Sequence, residues 1–370
     1  MKILILTALP LWHPGTAELA ENLAGCEVEC EIYDPFNMRI LDTEGHIKNA
    51  LPEFLPSFAK RLLGRLFRQS ALNSRIESAD IIDIHFVDPN YHKLLKSSSR
   101  PLICTFFGSD LFRSTAEQKK ALKPLVSQAA GIIISKNMVP YFEEHFESMP
   151  DKYILNQYGS KRLDMLDWLL NSKVDRGQMK KELGLRADKI TITLGYNGKK
   201  EQQHLLILKA IMALPEGLRS RLQIVLPMTY GGEVHYHNQV EEMARRTNCQ
   251  VLPIKTFLSD AELVNLRLAS DITVNAQTTD ALSSSLKEAM AAGDVIITGD
   301  WLPYDIYEEL GIFTLRTSEQ EMSMKLQDTI LNLDKYRQQC EMNRKHVMNF
   351  ASWKYLTPKW ISDYKRIYEG

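Results

Sequence analysis

Several features are missing from this 370-residue sequence, and each absence narrows the reading. No stretch reaches the roughly 18 consecutive apolar residues that a membrane-crossing helix needs. The opening run, Met1-Lys-Ile-Leu-Ile-Leu-Thr7, is short for a signal peptide and is soon followed by Pro10. A cytoplasmic protein is expected, soluble or peripheral on the inner face of a membrane. There are five cysteines, an odd number, with no CxxC pair, which fits reduced thiols and excludes a structural zinc site. Net charge is only −1, which argues against broad nucleic-acid affinity and leaves nucleic acid off the list of expected partners. Internal repeats, low-complexity tracts and a G-x-G-x-x-G fingerprint are all absent, so a dinucleotide-binding reading is weak. No acid-x-acid motif stands at a strand end. Metal ligands are therefore not expected, and any positive charge at a site should come from the protein.

What is present is ordinary globular material, 44% hydrophobic and 25% charged, in a length natural for two domains. The densest stretch runs from Asp260 to Asp300. A helix with Leu263, Leu266 and Leu268 on its apolar side precedes a short β-branched strand, Ile272 to Val274. A polar turn follows, then a helix that Ser283, Ser284 and Ser285 can cap and Gly293 can end, then the apolar strand Val295-Ile-Ile297. Helix and strand alternating at this spacing predict a parallel α/β sheet. Asp280 lies before the second helix and Glu288 within it. The free N–H groups of a helix start favour an anion such as a phosphate, and Glu288 is placed to accept hydrogen bonds from sugar hydroxyls. The bland alternative is a capped helix with a solvated Glu288.

This pattern resembles the acid-x7-acid motif of the retaining GT-B glycosyltransferases of family 4, also called glycosyl transferases group 1. Their chains read Glu-Gly-Phe-Gly and then a helix with Glu-Ala-Met-Ala-x-Gly. Glu288-Ala-Met-Ala-Ala-Gly293 matches the second half closely, while Asp280, Ala281 and Ser283 depart from the first. In this family the second acid takes the ribose, so the resemblance implies Glu288 for ribose and Asp280 for the donor sugar. It also implies an α/β fold of the GT-B kind: two Rossmann-like doubly wound domains facing across a cleft, with a C-terminal helix returning to the first.

Taken in order, Lys2 to Leu6 is a strand, followed by a loop carrying His13 and a helix from Ala17 to Leu23. His13 is a candidate general base in an acceptor cleft, because its pKa lies near neutrality; the alternative is a loop histidine bonded to backbone. Residues 51 to 70 form an amphipathic segment. Leu55, Phe58, Leu62, Leu63, Leu66 and Phe67 fall near one face, with Lys60, Arg61, Arg65 and Arg68 on the other. It either packs on its domain or lies on an anionic membrane. Further buried strands run at Ala79 to Phe86, from Pro101, and at Ala130 to Ser135. The one from Pro101 ends at Phe107-Gly-Ser-Asp110 and is similar to the family's Thr-x-His-Gly-Ser-Asp, with Phe107 in place of the histidine. Asp110 either binds a sugar hydroxyl or caps the next helix. Tyr153-Ile-Leu-Asn156 precedes the crossing to a second domain.

That domain opens at Ile190 to Gly195. Gly195-Tyr-Asn-Gly198-Lys199-Lys200 is a glycine turn where backbone can approach a ligand and two lysines can neutralise a diphosphate. The alternative for the lysines is a solvated pair. The run from Gly195 to His204, with Val225-Leu-Pro227-Met-x-Tyr230, also resembles the inverting fucosaminyl transferases of enterobacterial common antigen synthesis. The two resemblances disagree on anomeric outcome. Leu222 to Leu226 and Val251 to Ile254 are further strands, putting Phe257 at a sheet edge suited to a nucleotide base or to packing. Trp353 and the helix Pro358 to Tyr368 resemble the closing helix of GT-B enzymes.

The expected domains are therefore 1–165 with 352–370, a linker at 166–189, and 190–351. The resemblance implies a transferase with no cofactor beyond a nucleotide-diphospho-sugar co-substrate, acting on a glycan or lipid-linked acceptor in surface polysaccharide synthesis. Catalytic candidates are His13, Asp110 and Lys200; donor-site candidates are Gly198, Lys199, Lys200, Phe257, Asp280, Ser283, Ser284 and Glu288. A sugar-nucleotide 2-epimerase and a non-catalytic sugar-binding subunit are the competing readings.

Overall fold

A computed structural model describes residues 1–370 apart from 12, 42–45, 50–56, 97 and 173, and follows 57–67 through their backbone alone. The chain forms two compact units, Met1–Ser160 with Trp353–Gly370, and Lys161–Ser352.

The first unit is built on β1 (Lys2–Thr7), β2 (Glu29–Asp34), β3 (Arg39–Leu41), β4 (Ile47–Asn49), β5 (Ile81–His85), β6 (Leu102–Thr105), β7 (Gly131–Ile134) and β8 (Tyr153–Leu155). Their order across the sheet is β4-β3-β2-β1-β5-β6-β7-β8. β3 and β4 are antiparallel to their neighbours, and every other pairing is parallel. Apart from β2 and the edge strand β8, the parallel strands are buried along nearly their whole length and mostly apolar, as strands covered on both faces must be. One cover is the helix Pro14–Ala24, which has proline in its first turn, where the missing N–H costs nothing. Another is the helix Trp353–Glu369, longer than the Pro358 to Tyr368 segment expected. It buries Trp353, Leu356, Trp360 and Tyr364 against Ile3, Ile5, Ile81 and Ile103. Side-chain bonds pin it: Trp353 Nε1 donates to Glu18 at 2.7 Å, Trp360 Nε1 to the Gln157 carbonyl at 3.0 Å, and Tyr364 Oη to Asp83 at 2.6 Å.

The second unit holds β9 (Ile190–Leu194), β10 (Leu222–Pro227), β11 (Gln250–Ile254), β12 (Ile272–Asn275), β13 (Val295–Gly299) and β14 (Leu315–Thr317), ordered β11-β10-β9-β12-β13-β14 and parallel throughout. This is the doubly wound order, in which the winding reverses between β9 and β12. Pro253 is tolerated because β11 is an edge strand. Ser259 and Glu262 form a capping box for the helix Asp260–Ala269, and Gly293, at φ 88°, ends the helix Ser284–Ala292 in the left-handed conformation that a side chain would strain.

Residues 166–189, expected as a linker, are built into this second unit. The helices Lys161–Asn171 and Arg176–Glu182 supply its fastenings. Arg176 donates to the carbonyls of Leu268, Ser270 and Ala292, satisfying the open ends of two helices. Lys180 reaches Asp271 at 2.6 Å. A basic stretch reads as solvated linker in sequence, but here two of its cations, Arg176 and Lys180, are taken up by buried acids and carbonyls, while Arg186 keeps to an exposed pair with Asp188.

Candidate functional site

In the second unit, the loops leaving the parallel strands all emerge at one edge of the sheet. Most of the expected donor-site residues lie there. The turn after β9 is held tightly. Gly195 has φ 61°, and the Gly198 N–H donates to the Tyr230 carbonyl at 2.8 Å. His237 Nε2 sits 3.1 Å from the Gly198 carbonyl and 3.0 Å from that of Gly231. A Cβ on Gly198 would lie 2.3 Å from His237 Nε2, so only glycine fits. The Lys199 stem lies against Gly231, and Lys200 is exposed at the start of a short 3-10 turn. Beneath them Gln202 and Tyr196 Oη both donate to Gln277 Oε1, at 3.0 and 3.1 Å, tying the β9 turn to the β12 exit at the point of reversal.

Asp280 forms the turn before the helix Ser284–Ala292. Its carboxylate accepts from the N–H groups of Ala281 (2.9 Å) and Ser283 (3.1 Å) and from Tyr304 Oη. A carboxylate offers roughly four lone-pair sites, so these three donors leave one. Burial, then the Asp280 charge, push the Tyr304 phenol well above its ordinary value, which keeps its proton in place to donate. The expected serine caps are not made: the helix starts at Ser284, Ser283 makes no capping bond through its side chain, and Asp280 does that work instead.

Glu288 is 1% exposed and is not solvated. Arg162 Nε donates to its Oε1 at 2.8 Å, Arg267 Nε lies 3.5 Å from its Oε2, and Arg162 Nη1 donates to Asp260 at 2.9 Å. Burial works against the Arg162 charge, but Glu288 and Asp260 more than offset it and raise its pKa. The neighbouring Lys287 is buried, which lowers its pKa to about 8 against the pull of Asp280 and Glu288. Phe257 is 72% exposed and stacks on Tyr230, with ring centroids 5.9 Å apart and planes 10° from parallel.

In the first unit, His13 and Asp110 follow β1 and β6, and a buried polar network lies beneath them. Asp83 accepts from Thr105 Oγ1 (2.6 Å) and Tyr364 Oη (2.6 Å) and meets His85 Nε2 at 3.2 Å. His85 Nδ1 is in turn 3.0 Å from Thr16 Oγ1 and 3.1 Å from Tyr158 Oη. Phe107 stacks on Tyr158 at 4.5 Å and touches both His13 and His85. Phe86, directly after His85, has φ 63°, a strained value for a bulky residue. Burial, then the His85 charge, lower the His13 pKa to about 4. That leaves it neutral but a weaker base than a histidine near neutrality. Asp110 is buried, and its oxygens accept from the N–H groups of Phe107 (2.9 Å), Gly108 (2.9 Å) and Val87 (3.0 Å). Burial raises its pKa to about 6 against those donors. Its geometry is that of an acid fastening two loops, closer to the capping alternative than to sugar binding.

Sequence reading missed Asp83, His85, Arg162, Arg267 and Lys287. The spacing Asp83-x-His85 in an otherwise apolar strand was the available signal, since residues two apart share a face. Arg267 likewise interrupts an apolar helix face. Nothing local marked Arg162. The basic face proposed for residues 55–68 lies outside the described residues, apart from Arg68, which donates to the Phe36 carbonyl at 3.1 Å. Among the described residues no helix is long and apolar enough to cross a membrane, and no group of three or more His, Cys, Asp or Glu is placed to hold a metal ion.

The two units, each a helix-covered α/β sheet, are the domains of a GT-B fold. Similar solved structures include a sucrose-phosphate synthase from Thermosynechococcus elongatus (TM-score 0.78, 12% identity, 100% of both chains). A glycosyltransferase from Rickettsia africae is also similar (TM-score 0.74, 16% identity, 99% of this chain and 98% of that one). So is HepE from Anabaena, solved with UDP and glucose (TM-score 0.73, 13% identity, 99% of this chain and 100% of that one). At these identities the likeness is one of fold. No family model matches the sequence, and no curated protein matches it.

Proposed function

We propose that the protein is a nucleotide-sugar-dependent glycosyltransferase, moving a sugar from a nucleoside-diphosphate donor to a glycan or lipid-linked acceptor in bacterial surface polysaccharide synthesis. The observation that carries this reading is the convergence of the Gly198–Lys200 turn, the Asp280 turn and the Ser284–Ala292 helix on the edge of the second sheet where its winding reverses. Ligands of doubly wound sheets bind at that edge. HepE, a fold relative, has been solved with UDP-glucose.

On this reading Lys199, Lys200 and the N–H groups at Ser284 and Ser285, the first of the helix, meet the diphosphate and stabilise it as it departs. Asp280 orients the donor sugar with its remaining lone pair, Glu288 takes the ribose, and Phe257 offers a face to the base. The first unit receives the acceptor, with His13 beside the Asp83–His85 network. No metal is required, because cations and helix N–H groups carry the leaving charge. Thermal-shift titration with UDP, ADP, GDP and dTDP tests the donor site, since binding stabilises the folded state. Release of nucleoside diphosphate from the matching sugar donor tests transfer; an epimerised donor in its place supports an isomerase.

The same reading sets the acceptor at a membrane surface, met by residues 55–68. Four basic side chains at about 1 kcal/mol each would give salt-sensitive attachment to anionic lipid. Co-sedimentation with anionic vesicles at low salt should pellet the wild type, and changing Lys60, Arg61, Arg65 and Arg68 to Gln should release it. Wild-type protein that stays in the supernatant removes the membrane from the proposal.

A further inference from the structure

The acid assigned to ribose is surrounded in a way its sequence does not suggest. A carboxylate with 1% exposure is costly to keep ionised unless something pays for the lost water. Glu288 meets that cost with Arg162, whose Nε lies 2.8 Å from Oε1. The guanidinium is itself fixed from behind, by Asp260 at 2.9 Å on Nη1, and Asp260 also takes Lys161 at 2.8 Å. Arg162 therefore has one orientation, set by two acids on two different helices. Only a fork with donors at both Nε and Nη can serve both.

Of the other charged groups near Glu288, Arg267 also pairs with it, across a longer gap and on the other oxygen, Oε2, at 3.5 Å. Lys287 points toward the Phe350 ring at 6.0 Å. From the helix Asn343–Ala351, which packs against the Glu288 helix, Arg344 is taken by Asp167 and His346 by the Gly311 carbonyl. Asp294, past the far end of the Glu288 helix, belongs with Arg176. Tyr230 stands on the β10 loop and carries no charge.

We propose that Arg162 is the positioning residue of the donor site, holding Glu288 ionised and aimed so that its carboxylate can accept hydrogen bonds from the donor's ribose. This rests on the reading of Glu288 as a donor-site acid. It adds that the acid is positioned by a cation from the helix Lys161–Asn171, outside the acid-x7-acid motif.

Two measurements separate the proposal from that reading. The first needs no ligand. In Arg162→Gln, buried Glu288 should take up a proton on folding, so its folded pKa rises above the unfolded value of about 4.3. A group raised in this way stabilises the fold below about pH 4.3, and that stability is lost as pH rises. The Tm of R162Q should therefore fall more steeply than that of wild type between pH 4.5 and 7.5. Adding Glu288→Gln should abolish the extra slope, and Arg162→Lys, which keeps the charge, should largely restore the wild-type profile. Parallel profiles for wild type and R162Q overturn the proposal. If R162Q does not fold, Arg162→Met, which fills much of the same space without the charge, carries the same comparison with the same expected and overturning outcomes.

The second measurement is nucleoside-diphosphate binding, with UDP, ADP, GDP and dTDP as probes. R162Q should bind roughly tenfold or more weakly than wild type, and increasingly so as pH drops from 8 to 6. Wild type should vary little. A loss that is uniform with pH assigns Arg162 a merely structural role and overturns the proposal. Binding equally tight in wild type and E288Q, or no binding of any probe to wild type, overturns the donor-site reading and Arg162's part in it. The Tm profiles then still decide whether Arg162 governs the ionisation of Glu288.

Discussion

Replacing Tyr364 with Phe deletes one oxygen from the helix Trp353–Glu369 and nothing else. That oxygen donates to Asp83 Oδ2 at 2.6 Å, and both residues are fully buried. The ring remains, so no cavity forms, and the cost is that of one hydrogen bond to a buried acid, about 1.5–3 kcal/mol. Asp83 retains Thr105 and His85, which holds the loss to that range. For a unit of this size each kcal/mol moves Tm by about 2–4 °C, giving a fall of roughly 3–12 °C in the first unit's transition. Calorimetry reads the shift, and urea unfolding followed by the fluorescence of Trp353 and Trp360 reads the free energy. In an Asp83→Asn background the same change should cost less than half as much, because the charge that strengthens the bond is gone. A Tyr364→Phe protein within about 0.5 kcal/mol of wild type refutes the reasoning, as would equal costs in the two backgrounds.

Glu288→Ala should lower kcat/KM by the equivalent of about 2–4 kcal/mol; near-normal turnover rejects its assignment. Burial, then His237, lower the pKa of His204 to about 4, so the folded state binds fewer protons than the unfolded one between about pH 4 and 6.5. Its stabilising contribution is present above that window and lost as pH falls through it, so His204→Asn should flatten the acid side of the Tm profile. An unchanged slope would remove His204 as its source. Transfer activity should survive excess chelator; inactivation reversed only by magnesium or manganese would overturn the charge assignment.

Much of the fold could be read from apolar periodicity. The runs at Ile81–His85, Gly131–Ile134 and Val295–Gly299 are short and mostly apolar, and each is a buried parallel strand. Gly293 ended its helix as its freedom at positive φ suggests. The segment 166–189 resisted reading because Arg176 and Lys180 fasten buried groups, a tertiary fact with no local mark. The site divides in the same way. Asp280 and Glu288 were visible through their spacing, and Gly198 through its turn. The partner that decides what Glu288 can do came from afar, since Arg162 lies 126 residues from it, and the unforeseen Asp83 likewise meets Tyr364 across 281 residues. Sequence spacing reports neighbours along one helix or strand and is silent about cations delivered by another.

The discontinuity of the first unit bears on how the chain is made. Its residues Met1–Ser160 are translated first, yet the helix that covers Asp83, Glu18 and the Gln157 carbonyl comes only after all of Lys161–Ser352. During synthesis the second unit has its whole sequence available and can fold as a piece. The first waits with an apolar groove open and a buried acid short of its tyrosine. The unit that begins first is thus completed last, and a ribosome that stalls anywhere in the second unit leaves an exposed, unfinished sheet for chaperones and proteases to find.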